Sequence, residues 1–442
     1  MRRTLRLAAF VAAGSLALGR DGAAQRRTII PMDSALSRWM TATARALPSM
    51  DAPYADSNFA WLTPLVGRAR LLSLGETIHL GHEPLAFRNH AIRYAVTHLG
   101  FTGVAIESGF TEGEAIDRFI QGEGAVATID SVLDAGISYG FSRLPENRAL
   151  VLWLREHNET ARRRVHFYGI DQSGVGEADM GGPAAFDAAV DFLARVDPAA
   201  AQRHRAAFSP FRSRFTVGTY PAYVPVERRA LHVALEALAQ SLAHDSSRYA
   251  RATSPSAVAM AARHAWAALR LEEAFVTSGT EGPRALRTIR LRDSVMAENA
   301  KWALRQQGAG GKLVVFAHNG HALNVPLDFP AMGPPMVMMG QRLRRDLGDD
   351  LRAIGTSSDA FVGMGDVLQD LSSFEGALAG VRAGNWWLDL RSADRIPQVA
   401  ARLRAPWLTR IHAWRQSFVP RVTMDAIVVL DTVRMTTLRA PR

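Results

Sequence analysis

The chain is organised around the stretch LLSLGETIHLGHE at residues 71–83 and the segment GVAIE at residues 103–107. Both begin as short apolar runs of strand length, and each run ends on a carboxylate, Glu76 in the first and Glu107 in the second. Between them, apolar residues recur at helical spacing, and Pro84 falls in the first turn, where its missing N–H would be unpaired anyway. A strand, a helix and a second strand in this order predict parallel strands in an α/β sheet.

The same pattern returns twice further along the chain. Residues 165–170 form an apolar run that ends on Asp171, and residues 312–317 form another that is followed by His318 and His321. We therefore predict an α/β fold with a mostly parallel central sheet flanked by helices. Further strand candidates lie at 335–339, 351–355, 386–390 and 426–430.

A long helical region interrupts this alternation. Residues 184–307 are rich in alanine, leucine and arginine in helical patterns, with one strand candidate at 220–226. An insertion of this size predicts a large helical lobe that lies over the sheet and covers its cleft. The predicted parts are a signal peptide at 1–24, a first part of the α/β core at 25–183, the inserted lobe at 184–307 and a second part of the core at 308–442.

The first residues have the pattern of a secretory signal. Arg2, Arg3 and Arg6 precede an apolar run at 7–18, and small residues at 22–24 suit a signal peptidase, with cleavage near the last of them. The alternative is an uncleaved membrane anchor, but the apolar run is shorter than the ~20 residues of a spanning helix. We predict a periplasmic or secreted protein without stable membrane insertion.

Composition narrows the function classes. A chain of 442 residues with 48% hydrophobic residues is long enough to bury a large core, and the absence of cysteine excludes disulfides, thiolate nucleophiles and cysteine metal ligands. The formal charge of +10 comes from scattered arginines, of which only residues 162–164 form an unbroken run of three after the signal. A nucleic-acid partner would favour a basic stripe interleaved with aromatics, so none is predicted.

Acid-base residues gather at three predicted strand ends. A histidine held by a carboxylate is a good general base near neutral pH, and His79 with Glu76 or Glu107 meets that requirement. Attack of water on an ester creates an oxyanion, for which His318, His321 and Arg88 are the expected donors. Taken singly, each residue also has an ordinary structural interpretation, such as a histidine that bonds loop carbonyls. Glu83 and Arg88 would then be a solvated pair on a helix. The set as a whole favours an active site.

Two metal-based alternatives use the same residues. His79, His318, His321 and a glutamate have the ligand chemistry of a zinc or manganese site, which would make the protein a metal-dependent hydrolase. They would also suit a non-enzymatic envelope protein that carries haem or metal. However, the His-x-x-His spacing follows a strand here, and no His-Glu-x-x-His motif is present. We therefore predict no metal and no cofactor.

A serine-hydrolase alternative rests on GISYG at residues 136–140, which matches Gly-x-Ser-x-Gly. That motif must follow a strand and open a helix. The residues before it have a helical pattern instead, and Pro145 delays the next helix. The motif therefore gives weak support for a catalytic serine at Ser138. Phosphate loops and dinucleotide fingerprints are absent.

The order of motifs resembles the erythromycin esterase family across nearly the whole chain after the signal. The matching segments are GETIH at 75–79 with Glu83 and Arg88, Ile106-Glu107, YGID at 168–171, RDSVMA at 292–297 and AHNGH at 317–321. The resemblance implies hydrolysis of a lactone or other ester by water, without metal or covalent intermediate.

The resemblance also implies residue roles. His79 would be the general base, Glu76 and Glu107 would hold it or the water, and Arg88 would support them. His318 and His321 would bind substrate and stabilise the oxyanion. We add His82, Glu83 and Asp171 as further substrate-binding residues at the same strand ends.

One position departs from the family pattern. Family members commonly have glycine directly after the base histidine, whereas Leu80 stands here before Gly81. A differently shaped loop would make His82 a rival base. The substrate is a small-molecule ester or lactone, and macrolide resistance is one possibility within that wider class.

Overall fold

The computed structural model describes residues 34–175, 181–277, 282–328, 334–362, 373–411 and 414–440. The predicted signal peptide at 1–24 lies outside these ranges. Within them, none of the helices combines the length and apolar character needed to cross a bilayer.

Eight strands of the described chain form one sheet, and two more form a separate hairpin. The strands are β1 (Arg45–Ala46), β2 (Leu71–Glu76), β3 (Gly103–Gly109), β4 (His166–Asp171), β5 (Leu313–His318), β6 (Leu351–Val362), β7 (Trp386–Asp389), β8 (Trp407–Ile411), β9 (Trp414–Phe418) and β10 (Ala426–Arg434). The sheet has the order β1-β7-β10-β6-β2-β5-β3-β4. All neighbours from β10 to β4 pair in parallel, and only β1 and β7 at one edge pair antiparallel.

Helices connect these strands and cover the sheet. In the first part of the chain they are α1 (Ser34–Thr43), α2 (Leu62–Val66), α3 (His82–Leu99), α4 (Gly113–Ile120), α5 (Ile129–Gly136) and α6 (Pro145–Thr160). The predicted lobe contains α7 (Ala184–Val196), α8 (Pro198–Phe208), α9 (Pro225–His244), α10 (Ser246–Ala252), α11 (Pro255–Thr277) and α12 (Gly282–Gln306). The remaining helices are α13 (Asn319–Ala322), α14 (Met339–Leu347), α15 (Phe374–Leu378), α16 (Pro397–Leu403) and α17 (Pro420–Thr423).

Both faces of the sheet are buried, so its central strands are mostly apolar up to their carboxyl ends. Along β2, Leu71 packs into one core and Leu72 into the other, as the two-residue repeat of a strand requires. The first core joins the sheet to α7–α12 and α14, while the second joins it to α2–α6. The predicted α/β fold with flanking helices is therefore confirmed. The inserted helices share one continuous core with the sheet. The predicted boundaries of the three parts remain a prediction.

The strand order creates a crevice at the carboxyl ends of β2, β5 and β3. The helix after β2 packs on the second core, whereas α14, which follows β5, packs on the first core. Connections that leave neighbouring strands toward opposite faces open a crevice where open α/β sheets bind ligands. The polar strand ends predicted from the sequence face this crevice.

Two strand predictions were wrong, and one hairpin was not predicted. Residues 335–339 make a single bridge, Leu327 to Met336, and then enter α14, where the Gln341 side chain accepts the Met338 N–H. Residues 220–226 form a 3-10 turn and then begin α9, because Pro225 suits the first turn of a helix. The strands predicted at 351–355, 386–390 and 426–430 are confirmed as parts of β6, β7 and β10.

Candidate active site

Four neighbouring parallel strands end at the site. In the pairing register Glu76 lies opposite His318, and Gly109 lies opposite Asp171. The His318 N–H donates a 2.9 Å hydrogen bond to Oε2 of Glu107 at the end of β3. The fold thus brings together the carboxylates and histidines that the sequence placed on separate segments.

His79 and Glu76 form a hydrogen-bonded couple. Nδ1 of His79 lies 2.6 Å from Oε1 of Glu76, and 15% of the His79 side chain is exposed. Burial lowers the pKa of His79, but the carboxylates of Glu76 and Glu107 more than compensate and raise it above its ordinary value. The His79 ring also packs against Phe141, with ring centroids 5.4 Å apart. This arrangement suits an imidazole that gains and loses a proton.

The loop after His79 turns through Leu80, whose φ is +66°. This is the left-handed conformation that glycine adopts without strain and that other residues adopt at a cost. Leu80 therefore provides the backbone turn at the position where the resemblance led us to expect glycine.

Arg292 occupies the centre of the site. Its Nη2 donates to Oε1 of Glu107 at 2.7 Å and to Oδ2 of Asp171 at 2.6 Å. The Tyr139 hydroxyl donates to the same Asp171 oxygen at 2.8 Å. Burial alone would raise the pKa of Glu107, but the charges of His321, Arg292 and His79 hold it well below its usual range. The carboxylate of Glu107 therefore stays ionised beside a permanent cation.

A second couple joins His321 to Asp293, the residue after Arg292 on α12. Nδ1 of His321 lies 2.8 Å from Oδ1 of Asp293, and Asp293 is fully buried. Nε2 of His321 lies 3.2 Å from Nη1 of Arg292 and 3.6 Å from Oε1 of Glu107. Burial lowers the pKa of His321, but Asp293 and Glu107 raise it above its ordinary value. Two imidazole-carboxylate couples thus flank the Glu107–Arg292 pair.

The family model described as erythromycin esterase matches residues 96–433. The chain belongs to the erythromycin esterase family. The matched range contains Glu107 and the second couple, whereas Glu76 and His79 precede it. The protein is therefore a hydrolase of the esterase type.

One curated relative agrees with the chain in sequence, and three solved structures agree with it in fold. The chain is 26% identical to erythromycin esterase type II of Escherichia coli over 336 residues, which span 69% of this chain and 73% of that protein. Among solved structures, a Bacillus cereus protein superposes with a TM-score of 0.78 and 19% identity, covering 92% of this chain and 99% of that one. A succinoglycan biosynthesis protein gives 0.75 and 19% with the same coverage. A mutant of the erythromycin esterase EreC in its open conformation gives 0.68 and 16%, over 90% of this chain and 100% of the other.

His318 supports the backbone of the esterase site. It is fully buried, its Nδ1 accepts the Gly320 N–H at 3.0 Å, and its Nε2 lies 3.3 Å from the Thr77 carbonyl oxygen. Its ring centroid lies 5.0 Å from that of His79. These contacts hold the turn after β5 against the loop that carries His79.

Arg88 lies beneath the site and bonds a neighbour on its own helix. Its guanidinium donates to Oδ1 of Asn89 at 2.8 Å and stacks over the Phe316 ring, 4.7 Å from its centroid. Burial lowers the pKa of Arg88 to about 10, while the charges of Glu76 and Glu146 oppose that shift. Among the described residues it forms no direct ion pair with Glu76, and the predicted supporting role of Arg88 remains a prediction.

His82 and Glu83 belong to a different cluster. Nδ1 of His82 lies 2.6 Å from Oε1 of Glu146, and its Nε2 lies 2.9 Å from Oδ1 of Asp51. Glu83 accepts the Nε–H of Arg434 at 2.6 Å. Both ring nitrogens of His82 therefore face carboxylates of this other cluster, whereas His79 pairs with Glu76 and is close enough to feel the charge of Glu107. A substrate-binding role for His82 and Glu83 remains a prediction without a described contact to the couples.

The Gly-x-Ser-x-Gly motif forms a loop wall. Gly136 ends α5 and does not follow a strand, and the Ser138 hydroxyl accepts the Gly109 N–H at 3.1 Å. Tyr139 has a φ of +63°, and its ring lies 5.6 Å from that of Phe141. The sharp strand-to-helix turn of a nucleophilic serine is therefore missing, and the motif instead places Tyr139 against Phe141, the ring that packs on His79.

Among the described residues, neither a cluster of metal ligands nor the cavity between α4, α7 and α11 coincides with the couples. In the described part of the chain, no three histidine or acidic side chains are arranged to hold a metal ion. A cavity of about 480 Å³ lies between α4, α7 and α11, lined in part by Glu114, Met260 and His264. It adjoins Thr111, whose hydroxyl bonds that of Ser173. Both couples and Arg292 lie instead at the strand ends.

Proposed function

We propose that the protein hydrolyses a carboxylic ester or macrolactone with water activated by His79, without a covalent intermediate. The observation that carries this proposal is the 2.6 Å His79–Glu76 couple beside Glu107 and Arg292. A carboxylate behind a histidine fixes its tautomer and stabilises the imidazolium that forms when it takes a proton.

In the proposed reaction, Nδ1 of His79 keeps its proton, which is hydrogen-bonded to Glu76. Nε2 of His79 takes a proton from water. The water oxygen bonds to the carbonyl carbon while the carbonyl π electrons move to its oxygen. The resulting oxyanion needs positive charge close by, which Arg292 and His321 supply. Collapse of this intermediate breaks the carbon–oxygen bond to the alcohol.

We propose water as the nucleophile because neither a cysteine nor Ser138 is suited to attack. The sequence has no cysteine, and Ser138 is bonded to the backbone of β3. The acid that forms and the alcohol that leaves together contain one added water, and a lactone opens into a single chain.

The substrate and the location are further parts of the proposal. The Escherichia coli relative is named an erythromycin esterase, which makes a macrolactone the first substrate to test. The arginine-rich start, the apolar run at 7–18 and the small residues at 22–24 support export to the periplasm or the medium.

The test is incubation of the purified chain without residues 1–24 with macrolides, simple lactones and aryl esters, with and without a chelator. Mass spectrometry should show the gain of one water in a product, unaffected by chelator, and rapid-quench spectra of the protein should show no acyl adduct. His79→Ala should abolish turnover, whereas His157→Ala on α6 should not. Activity lost to chelator and restored by zinc would support the metal-dependent alternative, and full activity in His79→Ala would remove this base.

A further inference from the structure

The further inference concerns Asp293 and rests on the proposed function. Its Oδ1 accepts the N–H of Met339 at 2.9 Å and lies 2.8 Å from Nδ1 of His321. Its Oδ2 is buried and finds no hydrogen-bond donor among the described residues. A buried carboxylate oxygen that lacks a hydrogen-bond donor is energetically costly.

The hydrogen bond from Met339 determines which tautomer of His321 is present. The Met339 N–H is a donor only, so Oδ1 of Asp293 is an acceptor and the His321 nitrogen facing it carries a proton. Nε2 is then directed at the centre of the site. In the neutral ring it accepts the Nη1–H of Arg292, and in the imidazolium its proton faces Glu107.

We propose that Asp293 is a positioning residue for ester cleavage, acting through His321, which protonates the departing alcohol. The Nε2–H bond of the imidazolium breaks and an O–H bond forms on the alcohol oxygen. The His321 ring becomes neutral and keeps its Nδ1 proton, which remains hydrogen-bonded to Asp293. His79 meanwhile holds the proton that it took from water, and both rings return to their starting states by exchange with solvent.

Another buried aspartate offers a matched control. Asp425 at the start of β10 is 4% exposed, and its Oδ2 accepts from Arg344 at 2.6 Å and from the Ala353 N–H at 2.9 Å. It lies at the amino end of its strand, away from the crevice. Asp425→Asn should therefore lower stability without changing the pH profile.

The experiment compares Asp293→Ala and Asp293→Asn with the wild type. Alanine removes the acceptor for Nδ1–H, so kcat should fall roughly 100-fold, the scale of general acid catalysis, with little change in KM. Asparagine keeps an oxygen acceptor and removes the charge, so the loss should be smaller. Its alkaline limb should move to lower pH, because the imidazolium loses a stabilising carboxylate.

A double-mutant cycle shows whether Asp293 acts through His321. In a His321→Asn background, Asp293→Ala should cause no further loss in kcat. Additive losses would overturn the proposal, as would a wild-type kcat and pH profile in Asp293→Ala.

NMR of ¹⁵N-labelled histidine tests the positioning without any substrate. The wild type should show His321 protonated at Nδ1, and Asp293→Ala should shift the ring toward the other tautomer and lower its pKa. An unchanged His321 spectrum would overturn the positioning role even where hydrolysis is found. A failed ester screen with the expected spectrum would instead count against the proposed function alone.

Discussion

At the scale of single residues, the charge of His79 depends on Glu76, because the two groups lie 2.6 Å apart. A raised pKa keeps His79 protonated to higher pH, so kcat/KM should increase as the pH rises through that value. Glu76→Gln removes the main contribution that raises it. The acid limb should move to lower pH, and kcat should fall by about 10²- to 10⁴-fold. A pH profile of hydrolysis measures both effects, and an acid limb that stays in place would separate Glu76 from the base.

Arg292 also has a predicted effect on stability. It neutralises Glu107, which is 8% exposed, and Asp171, which is fully buried. Arg292→Met leaves two buried carboxylates uncompensated, so we expect a loss of about 3–5 kcal/mol in the free energy of unfolding near neutral pH. The pKa of Glu107 is lower in the folded than in the unfolded protein, so Glu107 stabilises the folded state at pH values above its unfolded pKa. The loss of stability in Arg292→Met should therefore shrink as the pH falls. Urea titrations at several pH values measure it. Equal losses at acidic and neutral pH would contradict this account.

At the scale of elements, the loop between β2 and α3 depends on a strained residue. Leu80 has a φ of +66° and packs partly against the second core. Leu80→Val keeps most of the apolar side chain, yet a β-branched residue suits this conformation poorly. Leu80→Gly loses the packing and relieves the strain. We expect valine to lower the melting temperature more than glycine does, and glycine to retain hydrolysis. A valine variant more stable than the glycine variant would show that packing, and not backbone conformation, decides this position.

Sequence patterns predicted the elements whose signals are local. The strand-helix-strand run from β2 to β3 shows its alternation within one short segment. Glu107, His318 and Asp171 could be predicted to lie close together because parallel strands end at one edge of the sheet. The hairpin of β8 and β9 and the antiparallel direction of β7 depend on pairing partners, which a single segment does not encode.

Arg292 and Asp293 belong to the RDSVMA segment of the family resemblance, yet the sequence assigns neither residue a role, for a similar reason. Charged residues on a long helix have the same pattern whether they face solvent or a site, and only the packing of α12 on the sheet turns them inward. His82 shows the opposite case. It is three residues from His79 in the chain, yet the turn at Leu80 leaves it facing Glu146.

At the scale of the whole molecule, residues 434–436 bind the loop that carries His79. The Thr436 N–H donates to the Leu80 carbonyl oxygen at 2.8 Å, and Met435 bridges to Gly81. Arg434 pairs with Glu83. Residues 434–436 and the loop between β2 and α3 are therefore held together by polar contacts around the start of α3.

His82 shares Asp51 with Arg434 and Glu146 with Thr436, so we expect it to make the stability of this region depend on pH. Its hydrogen bond to Glu146 outweighs burial and, with Asp51, raises the pKa of His82 above its ordinary value of 6.5. A group whose pKa is raised by folding stabilises the folded state fully below its unfolded pKa, and that contribution is lost as the pH rises through the folded value. The stability advantage of the wild type over His82→Asn should thus be largest below about pH 6 and should narrow on the alkaline side. Unfolding by urea from pH 5 to 9 measures the difference, with His157→Asn as the control for loss of an imidazole elsewhere. An advantage that stays constant across this range would mean that His82 contributes packing and neutral hydrogen bonds but no titrating charge.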